Sequence, residues 1–429
     1  FPGLNAAVAD LAPEARREIR ARLALLAYLY EDGDMMSYGN GHHHGNPNMG
    51  TARFWSGPCF VALLPDHPMF AGWRDHMAQY GAYNIGTQVA PGGSYFEFGA
   101  AYHMHGFART TNGLPGLRSA GADSVERLLA DYVAPDWRYY MNLLTPFDSR
   151  RQARMIPGMA NSQPGNTEHF AEAAGALATH DPELAANLLW AWQANGAMRG
   201  ANAALVAPGL AAKEPALGSQ VYPGMGVIFR AHQGPDETYM LLRCGFQWSH
   251  WTVDPGHFIL ASRGAVLVPH QPFQYGDSSE ASFDLQNTIR FGHPENVWPH
   301  GWGDSVILDH AFGPGVDYAW ALTGFPEWFI KPGVAPTWAN APNVTSAGER
   351  KLDTARPQTE GAFDWSRQVM FLKGRTAASP NYFVIRDTVS GDGKLTSYLN
   401  LNLLGTKADV QPQGGRLAVA SEWPTQLDV

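Results

Sequence analysis

The period of the apolar positions changes near residue 215. Before that point they recur every three to four residues, as on one face of a helix. In Pro13–Tyr30 the residues Ile19, Leu23, Leu26 and Tyr30 follow this spacing, and Pro13 suits a first helical turn. Val125, Leu128, Leu129 and Tyr132 repeat the pattern. Asp181-Pro182-Glu183 supplies an N-cap, a first-turn proline and a first-turn acid. It predicts a helix that carries Leu184, Leu188 and Trp192 on one face and ends at Asn195-Gly196. Gly- and Pro-rich loops, such as Gly39–Gly50 and Ala90–Gly93, separate the helical stretches. Long loops in a compact domain often carry function.

Beyond residue 215 the chain reads as short β-branched and aromatic runs. They are Val227-Ile228-Phe229, Tyr239–Cys244, His257–Ala261, Ala265–Val268, Val369–Leu372, Tyr382–Ile385 and Tyr398–Leu404. Turn residues around Gly374, Ser390–Gly393 and Gln413–Gly415 bound them. From Tyr398 to Leu403 apolar and polar residues alternate, which predicts a half-buried strand. The chain of 429 residues exceeds the roughly 250–300 residues that one core serves. Two domains are therefore expected: residues 1–215 helical, and residues 216–429 an antiparallel β-sandwich.

Composition narrows the function. Hydrophobic residues make up 45% and charged residues 16% of the chain, so most of it can enter a core. The net charge of -9, with no basic stripe, argues against a nucleic-acid partner. It argues less strongly against a polyanion, because Arg and His gathered in a cleft outweigh distant charges. Cys59 and Cys244 lie far apart and form neither a disulfide framework nor a CxxC metal motif. No apolar run reaches the roughly 18 residues a membrane span needs. The chain opens at Phe1 and reads as trimmed or partial. The aromatic content of 12% suits sugar-binding faces and β-sheet cores equally.

Three clusters could carry chemistry. The first is Asn40-Gly41-His42-His43-His44-Gly45-Asn46-Pro47-Asn48. Adjacent side chains of an extended stretch point to opposite faces, so at most two of the three imidazoles serve one site. A polar loop with incidental histidines is the plain alternative. The second runs from Gly92-Gly93-Ser94-Tyr95 through Glu97 to Tyr102-His103-Met104-His105. A tyrosine can donate a proton, but its usual pKa near ~10 means that it acts as a base only beside a cation or a histidine. Phe96 and Phe98 read as core. The third runs from Trp248 through His250 to Asp254-Pro255-Gly256-His257-Phe258 and leads into a strand. Taken alone, His250 could equally be a core histidine bonded to backbone.

In order and spacing these clusters resemble the heparinase II/III-like superfamily of polysaccharide lyases. The first resembles the family's Asn-His element and puts His44 at the catalytic His, with His43 beside it. The second resembles Gly-x-Tyr-x-Glu-Gly-x-x-Tyr. It makes Tyr102 the catalytic Tyr after one extra residue, with Tyr95 in reserve. The third resembles His-x-His-x-Asp-Ala-Gly-x-Phe and aligns His250 with its first His. Two metal positions depart from the family pattern. The second His of the third element is Thr252 here, and a later His-Asn-Thr is Gln286-Asn287-Thr288. The intervening Asp ligand corresponds to His270. These changes put the structural zinc of relatives in question. A rearranged set of His257, His270, His293 and His300 is the alternative metal site.

The resemblance spans roughly residues 20 to 410. It implies a partial α/α toroid followed by the β-sandwich, completed by a missing N-terminal segment or a second chain. It also implies a secreted or periplasmic bacterial enzyme that cleaves a uronate polymer, such as alginate, glucuronan or a glycosaminoglycan, by β-elimination. Tyr102, His44 and His250 would be catalytic. His43, Asn46 and Asn48 would neutralise the substrate carboxylate, with Arg154 as an outside choice. No cofactor is required by this scheme, and no nucleic acid or membrane partner is expected. The rivals are a toroid-fold glycoside hydrolase and a carbohydrate-binding relative without activity. The hydrolase would need paired carboxylates, and Glu97, Asp254, Asp277 and Glu280 are available for them.

Overall fold

The computed structural model describes residues 9–32, 47–90, 92–95, 100–159, 162–196, 208–245, 256–270, 286–291, 305–325, 363–391, 397–405, 407–411, 416–420 and 426–428. Helices occupy the first part: α1 Pro13–Glu31, α2 Pro47–Ala62, α3 Phe70–Gln88, α4 Ala100–His105, α5 Phe107–Ser119 and α6 Val125–Leu128. A π turn, Leu129–Val133, carries α6 into α7 Ala134–Leu143, and α8 Phe170–Leu177 and α9 Pro182–Ala194 follow. Helix α1 begins at the expected proline. Helix α9 begins as its sequence predicts, with Asp181 Oδ1 accepting the Leu184 N–H at 3.1 Å. Helix α2 departs from the sequence reading: it starts at Pro47, inside the stretch read as loop, because proline is preset for a first turn.

The strands that follow form antiparallel sheets. The first holds β1 Gln220–Tyr222, β2 Gly226–Ala231, β3 Thr238–Arg243, β4 Phe258–Ser262 and β5 Ala265–Val268, in that spatial order. It is buried on both faces. Ile228, Tyr239, Leu241 and Ile259 join the helical core with Trp137, Tyr139 and Leu188. Val227, Phe229, Met240 and Leu242 face the other way and share a core with Ala319, Ala321, Val369 and Phe371. Burial on both faces explains why β2 and β3 read as continuous apolar runs rather than alternations.

Beyond β6 Ile289–Phe291, the second large sheet holds β7 Ser305–Phe312, β8 Val316–Phe325, β9 Phe363–Leu372 and β10 Tyr382–Gly391 in the order β10-β9-β8-β7. β11 Ser397–Leu399 pairs with β6, and β12 Lys407–Gln411, β13 Arg416–Ala420 and β14 Gln426–Asp428 form a small sheet. The alternation at 398–404 yields only three residues of strand. After Leu399 the chain stays tied to its neighbours by spaced hydrogen bonds instead. Asn400 N donates to Thr288 O, Asn402 N to Asn287 Oδ1 and Leu404 N to Leu267 O. Leu401 and Leu403 reach the inter-sheet core, as the alternation demands.

One buried polar network joins the helices to the first sheet. Arg230, on β2, donates from Nη2 to the carbonyls of Asn142 and Leu144, each at 2.8 Å, at the C-terminal end of α7. Tyr239, on β3, donates its hydroxyl to Leu143 O at 3.2 Å. A cation and a hydroxyl thus satisfy helix-end carbonyls that have no partner within the helix. Glu237 balances the charge through ion pairs with Arg230 and with Arg154, whose Nη2 lies 2.8 Å away. All three side chains are buried, and burial pushes the Arg230 pKa below its usual value. Removing the acid strands two guanidinium groups in the core. Glu237→Gln is therefore expected to lower the unfolding free energy by about 3–5 kcal/mol in a denaturant titration. A loss within about 0.5 kcal/mol, as for a surface pair, would contradict this account.

Candidate active site

The second sequence cluster folds back on α7. Val89 and Tyr95 form an isolated antiparallel bridge, and Ser94 Oγ donates to Pro223 O at 2.8 Å. Gly93 adopts φ +99°, and a Cβ there would stand 2.1 Å from Pro135 O and 2.7 Å from Asp136 N. Only glycine lets the loop lie this close to the first turn of α7. Tyr95, the reserve tyrosine, is fully buried, with its ring against Phe107 and His103. A phenol enclosed in this way cannot meet a polymer, so the reserve role falls away.

Tyr102 and His103 lie side by side on α4 and face different surroundings. Tyr102 is half-buried, whereas His103 is 1% exposed. His103 Nε2 lies 2.7 Å from Asp136 Oδ2 on α7, and Asp136 is 0% exposed. The imidazole stacks on Tyr140 at a centroid distance of 3.3 Å and on Phe107 at 5.7 Å, and meets Trp137 edge-on at 5.1 Å. Burial, then the charge of His169, holds the His103 pKa well below its usual value, and burial drives that of Asp136 well above. Both shifts favour a pair without net charge. The sequence reading assigned His103 and Asp136 no role. They stand 33 positions apart, and the only local hint was a histidine beside the matched tyrosine.

The third cluster enters the described residues at Gly256. Its φ is +73°, and a Cβ there would stand 2.3 Å from the ring of Trp365, so the position admits glycine alone. His257 is 1% exposed, and its Nδ1 accepts the Asn287 N–H at 2.8 Å. That bond leaves the proton of the neutral ring on Nε2, which becomes a donor rather than a metal ligand. Burial, then His270, Arg367 and Arg243, holds the His257 pKa well below its usual value. Gln286 is fully buried, and neither its amide oxygen nor its nitrogen has a hydrogen-bond partner among the described residues.

This donor set does not fit the zinc of relatives. Among the described residues it offers two imidazoles, one of them carrying its proton on the nitrogen left over for a metal, and an amide, with two cations nearby and no thiolate or carboxylate. Among the described residues no three His, Cys, Asp or Glu side chains gather around one point. His293 and His300, which the rearranged site would need, lie outside the described residues. Neither cysteine forms a disulfide, and burial pushes the Cys244 thiol up to about 12.

Of the sequence-derived site residues, Tyr102 and Arg154 have described side chains. Asn48 lies in the first turn of α2, and its side chain is outside the described set. His43, His44, Asn46 and His250 lie outside the described residues, as do the hydrolase candidates Glu97, Asp254, Asp277 and Glu280. The expected convergence of His44 and His250 on Tyr102 therefore falls outside them too. Arg154 requires a correction. Its Nη1 donates to Thr145 O at 3.1 Å and its Nη2 pairs with Glu237. This buried guanidinium is bound into the junction of helices and sheet, which removes it from the carboxylate-binding set.

No protein-family profile and no curated protein matches the chain. Solved structures do. A heparinase III gene product superposes with a TM-score of 0.58 at 16% identity, covering 86% of this chain and 49% of that one. A form of it with methylated lysines gives 0.63 at 15%, covering 94% and 53%. Heparan sulfate lyase HepC from Pedobacter heparinus gives 0.60 at 14%, covering 88% and 51%. The chain spans about half the length of these structures. At such identities the likeness is one of fold. Helices followed by antiparallel sheets, superposing on these structures over most of the chain, give it a heparinase-like fold.

Proposed function

We propose that this chain forms part of a polysaccharide lyase, with an α/α toroid and a β-sandwich as its two domains, that acts on a uronate-containing polymer by β-elimination. The observation that carries the reading is the contrast within the second sequence cluster. The motif tyrosine, Tyr102, keeps part of its surface open to solvent while Tyr95 and His103 are enclosed. The likeness in fold to a heparan sulfate lyase supports an acidic polysaccharide as substrate.

The chemistry sets three tasks. An ionised carboxylate resists proton loss at C5, so donors must neutralise it and bond more tightly as charge develops. His43, Asn46 and Asn48 are assigned this role. A base removes the C5 proton and an acid protonates the leaving 4-oxygen. Tyr102 performs both where proton and leaving group share a face of the sugar. His44 or His250 acts as base where they lie on opposite faces. The scheme routes no step through a metal, in keeping with the donor set around His257 and Gln286. No described helix is long and apolar enough to cross a membrane, and we assign the enzyme to the bacterial periplasm or exterior.

A lyase leaves a conjugated unsaturated uronate at each cut. Incubation with a panel of uronate polymers should therefore raise absorbance in the near ultraviolet, while reducing ends that form without absorbance would indicate hydrolysis. Tyr102→Phe removes one hydroxyl and should lower kcat by about 10²–10⁴-fold with an unchanged circular dichroism spectrum. A fully active variant would take the proton-transfer role away from this residue. Chelator or added zinc should leave the melting temperature unchanged. One zinc per purified chain by elemental analysis would overturn the metal-free assignment.

A further inference from the structure

Helix α4 has six residues, too few to hold its own conformation in water, where isolated helices need roughly 12–15. Its stability and rotation must come from contacts. His103 supplies them, through the 2.7 Å bond to Asp136 and an enclosure of four rings, Tyr95, Phe107, Trp137 and Tyr140. Consecutive helical side chains diverge by about 100°. Pinning His103 inward therefore sets the direction in which Tyr102 leaves the helix. The other end of the bond is equally fixed. Asp136 lies in the first turn of α7, where the Gly92-Gly93 loop closes on its backbone, and the far end of α7 is held by Arg230 and Tyr239.

The pair is costly as core. Asp136 Oδ1 has no hydrogen-bond partner among the described residues, and a buried unsatisfied oxygen destabilises a fold. Two apolar side chains of similar volume would serve stability as well or better. The one service that they could not render is a directional bond between α4 and α7.

We propose that His103 and Asp136 are positioning residues that aim the Tyr102 hydroxyl at the substrate without touching it. The inference rests on the lyase reading given above. Misplacement of a reacting group by about 1 Å costs on the order of 10²-fold in rate, which sets the effect to look for.

The test uses the full chain as a double variant, His103→Phe with Asp136→Leu, beside Asp136→Asn. The double variant exchanges both partners for apolar groups. It should melt at or above the wild-type temperature, with kcat lowered about 100-fold and KM within a factor of about three. Asp136→Asn can bond His103 Nε2 in either tautomer, accepting through its amide oxygen or donating through its amide nitrogen, and should retain kcat to within about tenfold. Fluorotyrosine placed at position 102 gives a fluorine NMR signal, which should shift in the double variant and stay native with Asp136→Asn. That signal reports on the aim of Tyr102 without any turnover. A wild type inactive on every uronate polymer would therefore sink the lyase reading while the signal still judged the pair. A double variant with wild-type kcat and a native signal overturns the proposal. So does one that fails to fold, since the pair would then be structural.

Discussion

Arg230 reaches from the first sheet into the end of α7 and takes up two of its last carbonyls. The rest of the arrangement depends on this contact. A guanidinium with essentially no solvent can stay charged only beside a fixed acid, and Glu237 is that acid. Glu237 in turn holds Arg154, whose main chain is tied to the end of α9 through Asn195. One carboxylate therefore binds together a strand, the segment after α7 and the end of α9. Apolar packing alone would let these elements slide, whereas hydrogen-bonded charges allow one register.

The constraint passes along α7 to its other end. There Asp136 meets His103, and the glycine pair at 92–93 lies against the backbone. The sheet, α7 and α4 thus form a chain of directional contacts that ends at His103, next to Tyr102 in sequence. Each link is buried and polar, and at the His103–Asp136 end an apolar pair would be cheaper. Directional buried bonds specify orientation better than they stabilise. Under the proposed lyase reading, Tyr102 is the group for which such specification is useful.

The far side of the first sheet is built differently. His257, His270 and Gln286 occupy the region where the resemblance expects metal ligands, yet Asn287 fixes His257 as a donor. Arg367 binds both oxygens of Asp387 and also donates to Gly256 O and Asn287 O. Hydrogen bonds around an arginine–aspartate pair tie the Gly256 turn, the 286–288 segment and β9 together there. A cation at that spot would meet two guanidinium groups and a ring proton.

Local pattern and local chemistry determined a good deal here. The change of period near residue 215, the proline of α1, the aspartate cap of α9 and the continuous apolar runs of β2 and β3 were all legible. Each depends on residues within one or two turns of one another. The match of Tyr102 to a family motif was legible too, because that motif is contiguous, whereas the short helix that carries it was not. The start of α2 at Pro47 was hidden by the Gly- and Asn-rich residues before it, and β7 by the Asp309-His310 interruption of its apolar pattern. The fates of Arg154, Tyr95, His103 and Asp136 were decided by the tertiary structure alone. An arginine reads the same whether it meets a sugar carboxylate or a buried glutamate 83 residues later, and a tyrosine reads the same in a groove or in a core. Burial and pairing are properties of the folded neighbourhood. They convert polar side chains from binding groups into joints only once distant segments have met.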